Sequence, residues 1–299
     1  MPGSLPDRRS VLRAALFGVG AVGLGACTAN PYRSGPSGGG ATTGAVPTQA
    51  TGREVEFQGA TYRVPPRATR VVTLGDASLQ PVLDVGGPVV ATSSIALATM
   101  PPSRRPAVRE IPVVGRGREG DPITAADVAE HTPDLVFAAE GTPRDLVTEV
   151  GRDVPVVLVR TSGEFRRDWQ SRVGGVAEIL GSDALPGLLA SYRGHADRIR
   201  QRHAATLERV RVVVLRAWDT ERITAYGPDS AIGAIYADAG VRFVPTVQGE
   251  AARAAGGEVD DAKANVSRYL QGADIVMLAS DYAGGLDAFT GAASRPRTP

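Results

Sequence analysis

Seven short, β-branched apolar runs separated by helical stretches constrain the fold of this chain more than any other feature. The runs cover residues 71–74, 89–91, 113–114, 135–138, 156–159, 212–215 and 275–278. Compact apolar runs of this kind are typical of strands that are buried on both faces of a parallel sheet. Their alternation with helical stretches predicts βα units and therefore an α/β fold.

Between the fifth and sixth runs, apolar residues recur at helical spacing with arginines between them. They are Leu185, Leu188, Leu189, Tyr192, Ala196 and Ile199. Ser182 and Asp183 precede the stretch as a candidate cap, and Pro186 falls in the first turn, where proline is tolerated. We expect one helix of about 20 residues, roughly 30 Å long. A long helix between two groups of strands predicts two α/β lobes joined by a backbone helix, with a ligand cleft between the lobes. The alternative is an ordinary surface helix of a single α/β domain.

The only cysteine of the 299 residues, Cys27, ends a short apolar run that begins after three arginines. The run has about 13 residues and is shorter than the roughly 20 that a membrane-spanning helix needs. Residues 7–12 resemble a twin-arginine export signal, although Val11 stands where that pattern favours Phe, and Leu-Gly-Ala-Cys resembles a lipobox. We expect a lipoprotein signal peptide at 1–27 and lipidation of Cys27. The alternative is a buried or free cysteine after a chance apolar stretch.

The composition after the cysteine divides the chain further. Residues 28–52 are rich in Ser, Gly, Thr, Ala and Pro, which predicts a flexible tether. The rest is long enough for one large or two small domains, and we place an N-terminal lobe at 53–161, a bridging helical segment at 162–208 and a C-terminal lobe at 209–299. The net charge is +1 and Lys263 is the only lysine, so no basic block indicates a nucleic acid partner. Without a second cysteine, no internal disulfide is expected.

Several segments, in order, resemble the substrate-binding proteins of bacterial iron-siderophore, haem and cobalamin ABC importers. They are residues 62–65, 68–74, 83–91, 111–115, 132–137, 226–227, 237–241 and 273–276. The resemblance implies a lipid-anchored, monomeric receptor on the extracytoplasmic face of the cell membrane, which captures a metal chelate and passes it to an ABC permease. It implies no enzymatic activity and no cofactor, since iron is bound only as part of the ligand. A ferric siderophore is the first expectation, haem the second and cobalamin the third.

Ligands of open α/β sheets bind beyond the carboxyl ends of the strands, and two lobes place two such edges face to face. The candidate ligand-binding residues follow predicted strands and are Asp76, Ser94, Arg116, Glu140, Arg216, Trp218, Tyr226 and Tyr282. We favour Arg116, Arg216, Trp218 and Tyr226, because arginines bind chelate oxygens by charge-assisted hydrogen bonds and aromatic faces cover apolar parts. For each arginine a solvated surface charge stays open as an alternative, and for Trp218 a core position. No two histidines stand at metal-ligand spacing, so no protein metal site is expected.

The chain departs from the family pattern in two places. In the family a glutamate on the rim of each lobe docks to the permease, but the aligned positions here are Ala126, beside Asp127, and Tyr269. Asp127 is the candidate substitute for docking. The family also continues after residue 278 with a strand and a closing helix, whereas residues 291–299 are polar and Pro-rich. We therefore expect an incomplete C-terminal lobe with exposed apolar sheet surface.

Two other classes of function stay open. Residues 115–120 spell G-x-G-x-x-G, and Glu140 follows at the distance a dinucleotide-binding fold requires, which would fit an exported dinucleotide-dependent oxidoreductase. Pro122 at the helix start and Glu119 beside the anion site speak against it. The other class is an adaptor lipoprotein that has lost transport, which the missing docking glutamates favour.

Overall fold

The computed structural model describes residues 52–93, 100–115, 122–217 and 221–279. Within these residues the chain forms a two-stranded hairpin and two larger sheets with helices packed on them, so the expected α/β fold is confirmed. The helices between the two sheets connect two lobes. No helix in these ranges is both long and apolar enough to cross a membrane.

The first lobe begins with a hairpin and continues with a purely parallel sheet. The hairpin consists of β1 (Arg53–Phe57) and β2 (Ala60–Val64). The sheet contains β3 (Val71–Leu74), β4 (Val89–Thr92), β5 (Leu135–Ala139) and β6 (Val156–Val159) in the order β4-β3-β5-β6. Its helices are α1 (Asp76–Asp84), α2 (Arg105–Arg109), α3 (Ala125–Ala129) and α4 (Arg144–Val150). Four predicted strands are thus confirmed, while the run at 113–114 provides only an isolated bridge from Val113 to Thr92.

The first sheet is buried on both faces, as its β-branched sequence predicted. Successive side chains of a strand point to opposite faces. Val71 packs in one hydrophobic cluster with Leu79 and Val82 of α1, while its neighbour Val72 packs in a second cluster with Val128 of α3. This double burial explains why β3 has only one polar residue, the buried Thr73, whose Oγ1 donates to Thr92 Oγ1 at 2.9 Å.

Three helices connect the lobes: α5 (Trp169–Leu180), α6 (Leu185–Arg202) and α7 (Ala204–Leu207). The 18 residues of α6 correspond to the predicted long helix, with Pro186 in its first turn. The predicted cap is wrong, because the N-cap residue is Ala184 and makes no side-chain cap. Ser182 Oγ instead donates to Val85 O at 2.6 Å and accepts from the Ala184 N–H at 3.3 Å.

The second sheet is mixed rather than parallel. It contains β7 (Arg211–Ala217), β8 (Arg222–Tyr226), β9 (Arg242–Phe243), β10 (Glu258–Ala262) and β11 (Ile275–Leu278), in the order β10-β8-β7-β11 with β9 beside the start of β7. Its helices are α8 (Ala231–Asp238), α9 (Pro245–Ala251) and α10 (Val266–Leu270). β8 runs antiparallel to both β7 and β10. The sequence did not predict β8 or β10.

The last described strand is incompletely covered. All four residues of β11 are partly exposed, and within the described ranges the strand pairs only with β7. Residues 280–299 lie outside those ranges, so the incomplete C-terminal lobe stays a prediction.

Candidate ligand-binding site

The carboxyl ends of β3, β4, β5 and β6 form one edge of the first sheet, because the strands are parallel. Asp76 begins α1 at this edge, Glu140 directly follows β5, and both are exposed. Between β3 and α1, Gly75 has φ +91°, and a Cβ there would lie 2.7 Å from Ala139 Cβ. The glycine lets the chain turn tightly, and its N–H donates to Ser93 Oγ at 2.7 Å. The two predicted residues Asp76 and Glu140 therefore share one edge.

Glu140 fastens this edge to the segment that leaves the first lobe. Its carboxylate accepts from the N–H groups of Thr161 at 3.1 Å and Ser162 at 3.0 Å, and from Ser162 Oγ at 2.6 Å. The Ser162 hydroxyl contributes most to lowering the pKa of Glu140, followed by the Thr161 N–H. The carboxylate is therefore ionised at neutral pH and holds residues 161 and 162 in place.

A short 3-10 turn, Gly163–Arg166, lies between this edge and α5, and residues at its end contact the second lobe. Arg166 Nη1 lies 2.6 Å from Glu258 Oε1, and Arg167 Nη2 donates to Ala254 O at 3.0 Å. We call residues 162–167 the linker. Ser162 and Arg166 are four residues apart, which spans about 8 Å at the rise of a 3-10 helix. The linker therefore brings the polar edge of the first lobe close to Glu258 of the second.

Five polar side chains share one face of the second sheet. In the pairing of β10 with β8, Glu258 lies opposite Tyr226 and Asp260 lies opposite Thr224. In the pairing of β7 with β8, Arg216 lies opposite Thr224. Opposite and alternate residues lie on the same face of a sheet. Thr224 donates its hydroxyl to Asp260. The predicted residues Arg216 and Tyr226 thus lie on the same face as Glu258, which Arg166 reaches from the linker.

Burial and two arginines set the electrostatics of this face. The Glu258 side chain is only 6% exposed. Burial raises the pKa of Glu258, Asp260 raises it further, and Arg166 and Arg216 lower it. Burial also raises the pKa of Tyr226, while a hydrogen bond with Arg216 lowers it. The arrangement places a buried acid beside two guanidinium groups, which are themselves able to bind oxygen anions.

Four of the predicted ligand-binding residues lie within the described part of the chain. Asp76 and Glu140 lie at the first-lobe edge, and Arg216 and Tyr226 lie on the second sheet. Tyr226 is 3% exposed and its ring packs against Val214, so it offers a hydroxyl rather than an open aromatic face. Ser94, Arg116, Trp218, Tyr282 and Cys27 lie outside the described residues. Their roles stay predictions.

Asp127 is buried and forms a helix cap at the start of α3. Asp127 is 6% exposed, and its Oδ2 accepts hydrogen bonds from the Thr124 N–H at 2.8 Å and from Thr124 Oγ1 at 2.7 Å. Together with the bond from the Asp127 N–H to Thr124 Oγ1, these contacts form a capping box at the start of α3. The carboxylate is engaged in the helix cap, and a docking role for Asp127 stays a prediction.

Sequence reasoning missed Arg166 and Glu258. Arg166 lies in an irregular segment without periodic signal, and Glu258 begins a strand of mostly polar residues. The available signal was the pair Gly256 and Gly257 directly before Glu258, because Gly257 has φ +70° and marks a turn into a strand.

A cavity of about 500 Å³ lies elsewhere, on the flank of the first sheet beside α3. Its lining residues are Arg109, Glu110, Ile111, Pro112, Val113, Gly115, Asp127, Glu130 and His131. In the described parts of the chain, no group of three or more His, Cys, Asp or Glu side chains is arranged to hold a metal ion. Gly115, which lines the cavity, is the first residue of the G-x-G-x-x-G sequence, and the other five residues of that sequence lie outside the described residues.

Comparisons with known proteins match this geometry to one family. A family model described as periplasmic binding protein matches residues 71–267. No curated protein sequence matches the chain significantly.

Several solved structures share the fold. The FhuD protein from S. pseudintermedius has a TM-score of 0.62 at 15% identity, covering 82% of this chain and 84% of its own. SirA from Staphylococcus aureus, complexed with staphyloferrin B, has a TM-score of 0.60 at 16% identity, covering 80% of each chain. The siderophore periplasmic binding protein from the fuscachelin gene cluster of Thermobifida fusca has a TM-score of 0.56 at 16% identity, covering 76% of this chain and 82% of its own. At these identities the likeness concerns the fold.

Proposed function

We propose that this chain, which belongs to the periplasmic binding protein family, captures a ferric siderophore between its two lobes and delivers it to an ABC permease. The family description, periplasmic binding protein, supports an extracytoplasmic solute-binding role, and we expect no enzymatic activity. Iron would enter only as part of the ligand. The lipid on Cys27 would hold the protein at the outer face of the cell membrane, with residues 28–52 as the tether.

The observation that carries the proposal is the short distance between the polar parts of the two lobes. Glu140 accepts a hydrogen bond from Ser162, the first residue of the linker, and Arg166, near the end of the linker, forms an ion pair with Glu258. Polar and charged groups from both lobes therefore meet at one linker of a few residues. A chelate bound there would contact both lobes, as a ligand that is enclosed between domains does.

A siderophore ranks ahead of haem and cobalamin on two grounds. The arginines Arg166 and Arg216 suit the oxygen-rich, often anionic surface of a ferric chelate. Two of the structures with the same fold are described as siderophore-binding or siderophore-bound proteins. Haem and cobalamin stay as alternatives within the family.

A second candidate function is an adaptor lipoprotein that no longer transports. It is favoured by the two positions where relatives carry docking glutamates. The first aligned position is Ala126, whose neighbour Asp127 is engaged in a helix cap. The second is Tyr269, which is fully buried with its hydroxyl on Asp261 Oδ2 at 2.7 Å. Neither position presents an exposed glutamate to a permease.

Ligand titration separates these candidates. Residues 28–299, expressed without the lipid, are titrated with ferric hydroxamate, ferric catecholate, ferric citrate, haemin and cobalamin while tryptophan fluorescence is recorded. The Trp218→Phe variant controls for light absorption by the ligand. Saturable quenching by one chelate at about micromolar concentration or below supports the receptor, and its loss in the variant places Trp218 near the ligand. Absence of any response from a protein that is shown to be folded contradicts the receptor and favours the adaptor.

A further inference from the structure

The Arg166 guanidinium group contacts Glu258 and is also partly exposed to solvent. Its Nη1 contacts Glu258 Oε1, yet 39% of the side chain remains exposed, whereas the Glu258 side chain is 6% exposed. A guanidinium group has five N–H donors in a planar fork. Contact with one carboxylate oxygen through Nη1 orients this fork, and the exposed part faces solvent beside the linker.

Arg216 approaches the same two side chains from the sheet. It interacts with the Tyr226 hydroxyl, and it and Arg166 both lower the pKa values of Glu258 and Tyr226. Arg216 lies on β7 and Arg166 on the linker, so two guanidinium groups approach the Glu258 and Tyr226 pair from different elements. Arg216 is an exposed residue.

The charges around Glu258 can be counted from each element that packs near it. The linker contributes Arg166, β7 contributes Arg216, β8 contributes the neutral Tyr226, and β10 contributes Asp260. Glu250 of α9 is paired with Arg268 instead. Among these groups, the two positive charges of Arg166 and Arg216 balance the two negative charges of Glu258 and Asp260 before any ligand binds. An added anion gives the cluster a net negative charge, and the buried carboxylate is the group for which ionisation is least favourable.

Resting on the proposed function, we propose that Arg166 and Arg216 together bind an anionic oxygen group of the chelate, and that Glu258 takes up one proton when they do. The ligand anion competes with the Glu258 carboxylate for the two arginines. Protonation of Glu258 removes this competition and leaves a neutral acid in the buried position. The raised pKa of Glu258 brings the protonation closer to neutral pH. Anionic chelates are therefore bound more tightly as the pH falls, and neutral chelates are not.

Isothermal titration calorimetry tests this with two kinds of probe. The anionic probes are ferric citrate and a ferric tris-catecholate, and the neutral probe is a ferric trihydroxamate. Each titration is repeated in two buffers of different ionisation enthalpy, from about pH 5 to about pH 8, which counts the protons taken up. The variants are Arg166→Gln, Arg166→Lys, Glu258→Gln, and Arg209→Gln as a matched control, because Arg209 is exposed and lies outside the site.

The expected results are specific for each variant. For an anionic probe, Arg166→Gln weakens binding by about tenfold or more, Arg166→Lys restores part of it, and Arg209→Gln leaves it unchanged. Glu258→Gln binds the anionic probe at least as tightly as the wild type, and both its proton uptake and its pH dependence disappear. Thermal melting of each variant shows whether it is folded before it is titrated.

Three results overturn the inference. They are an anionic probe that binds the wild type and Arg166→Gln equally, proton uptake that is unchanged in Glu258→Gln, and binding of the neutral probe alone. Each of them leaves the receptor function intact. Absence of binding by every chelate overturns the receptor and this inference together.

Discussion

The turn after β8 provides the sharpest test of how the second lobe holds its part of the site. Gly233 in α8 donates its N–H to Ser230 Oγ at 2.9 Å, and Ser230 Oγ donates to Gly227 O at 2.8 Å. Gly227 directly follows Tyr226, and its N–H donates to Gly257 O at 3.0 Å, next to Glu258. The turn therefore fixes the ends of both strands that carry the buried polar pair.

Replacing Gly233 with alanine is predicted to disrupt this turn. A Cβ at Gly233 would lie 1.7 Å from Gly227 O, far inside contact distance, and the clashing atom is backbone. Overpacking of this kind costs about 1–3 kcal/mol, while alanine returns up to about 1 kcal/mol of helix propensity. We expect a net loss of about 2 kcal/mol, which corresponds to a melting temperature about 4–8 °C lower for a chain of this size.

Gly249→Ala is the matched control. Gly249 lies in α9, and a Cβ there meets nothing within 4 Å. The substitution should therefore stabilise the protein by about 0.5–1 kcal/mol through helix propensity alone. Differential scanning calorimetry of both variants compares the two effects. If Gly233→Ala melts at or above the wild-type temperature, the tight packing of the turn against α8 is refuted.

Three further substitutions probe single contacts. Glu140→Ala should lower stability by only about 1 kcal/mol at neutral pH, since the hydrogen bonds it removes are exposed. Because the pKa of Glu140 is lowered on folding, its contribution to stability is present above the unfolded pKa and is lost as the pH falls through the lower folded pKa. The melting temperatures of wild type and variant should therefore converge in acid. Tyr269→Phe should cost about 1–2 kcal/mol in urea unfolding, because it removes a fully buried hydroxyl that donates to Asp261. An unchanged urea midpoint would contradict a contribution from that hydrogen bond. Asp127→Ala should cost about 1 kcal/mol by removing the N3 side chain of a capping box, and equal thermal stability with the wild type would contradict that contribution.

The first sheet could be predicted from the sequence because its strands are buried on both faces. β3 is buried at every position and Thr73 is its only polar residue, so its apolar run is recognisable in the sequence. β10 was missed because only Glu258 of its five residues is buried, and the run Glu-Val-Asp-Asp-Ala carries no apolar signal. Antiparallel pairing of β8 with β7 was missed for a related reason, since the sequence between them contains no standard hairpin turn.

The same dependence on local apolar signal separates the site residues that could be predicted from those that could not. Glu140 and Arg216 could be predicted because each stands at or near the end of an apolar strand. Arg166 and Glu258 could not, because they are 92 positions apart in the sequence and meet only through the linker and the unpredicted strand β10. Single-sequence patterns report local burial, whereas this ion pair depends on how two lobes are joined.

A crystal structure of the protein with its tightest-binding ferric chelate, with the iron located by anomalous scattering, tests the central claim most directly. The iron is predicted to lie between the two lobes, beside the linker, with chelate oxygens on Arg166 and Arg216 and the first-lobe edge at Glu140 opposite. An iron position in the cavity beside α3, or on the outer surface of either lobe, would contradict the claim that the ligand is captured between the lobes.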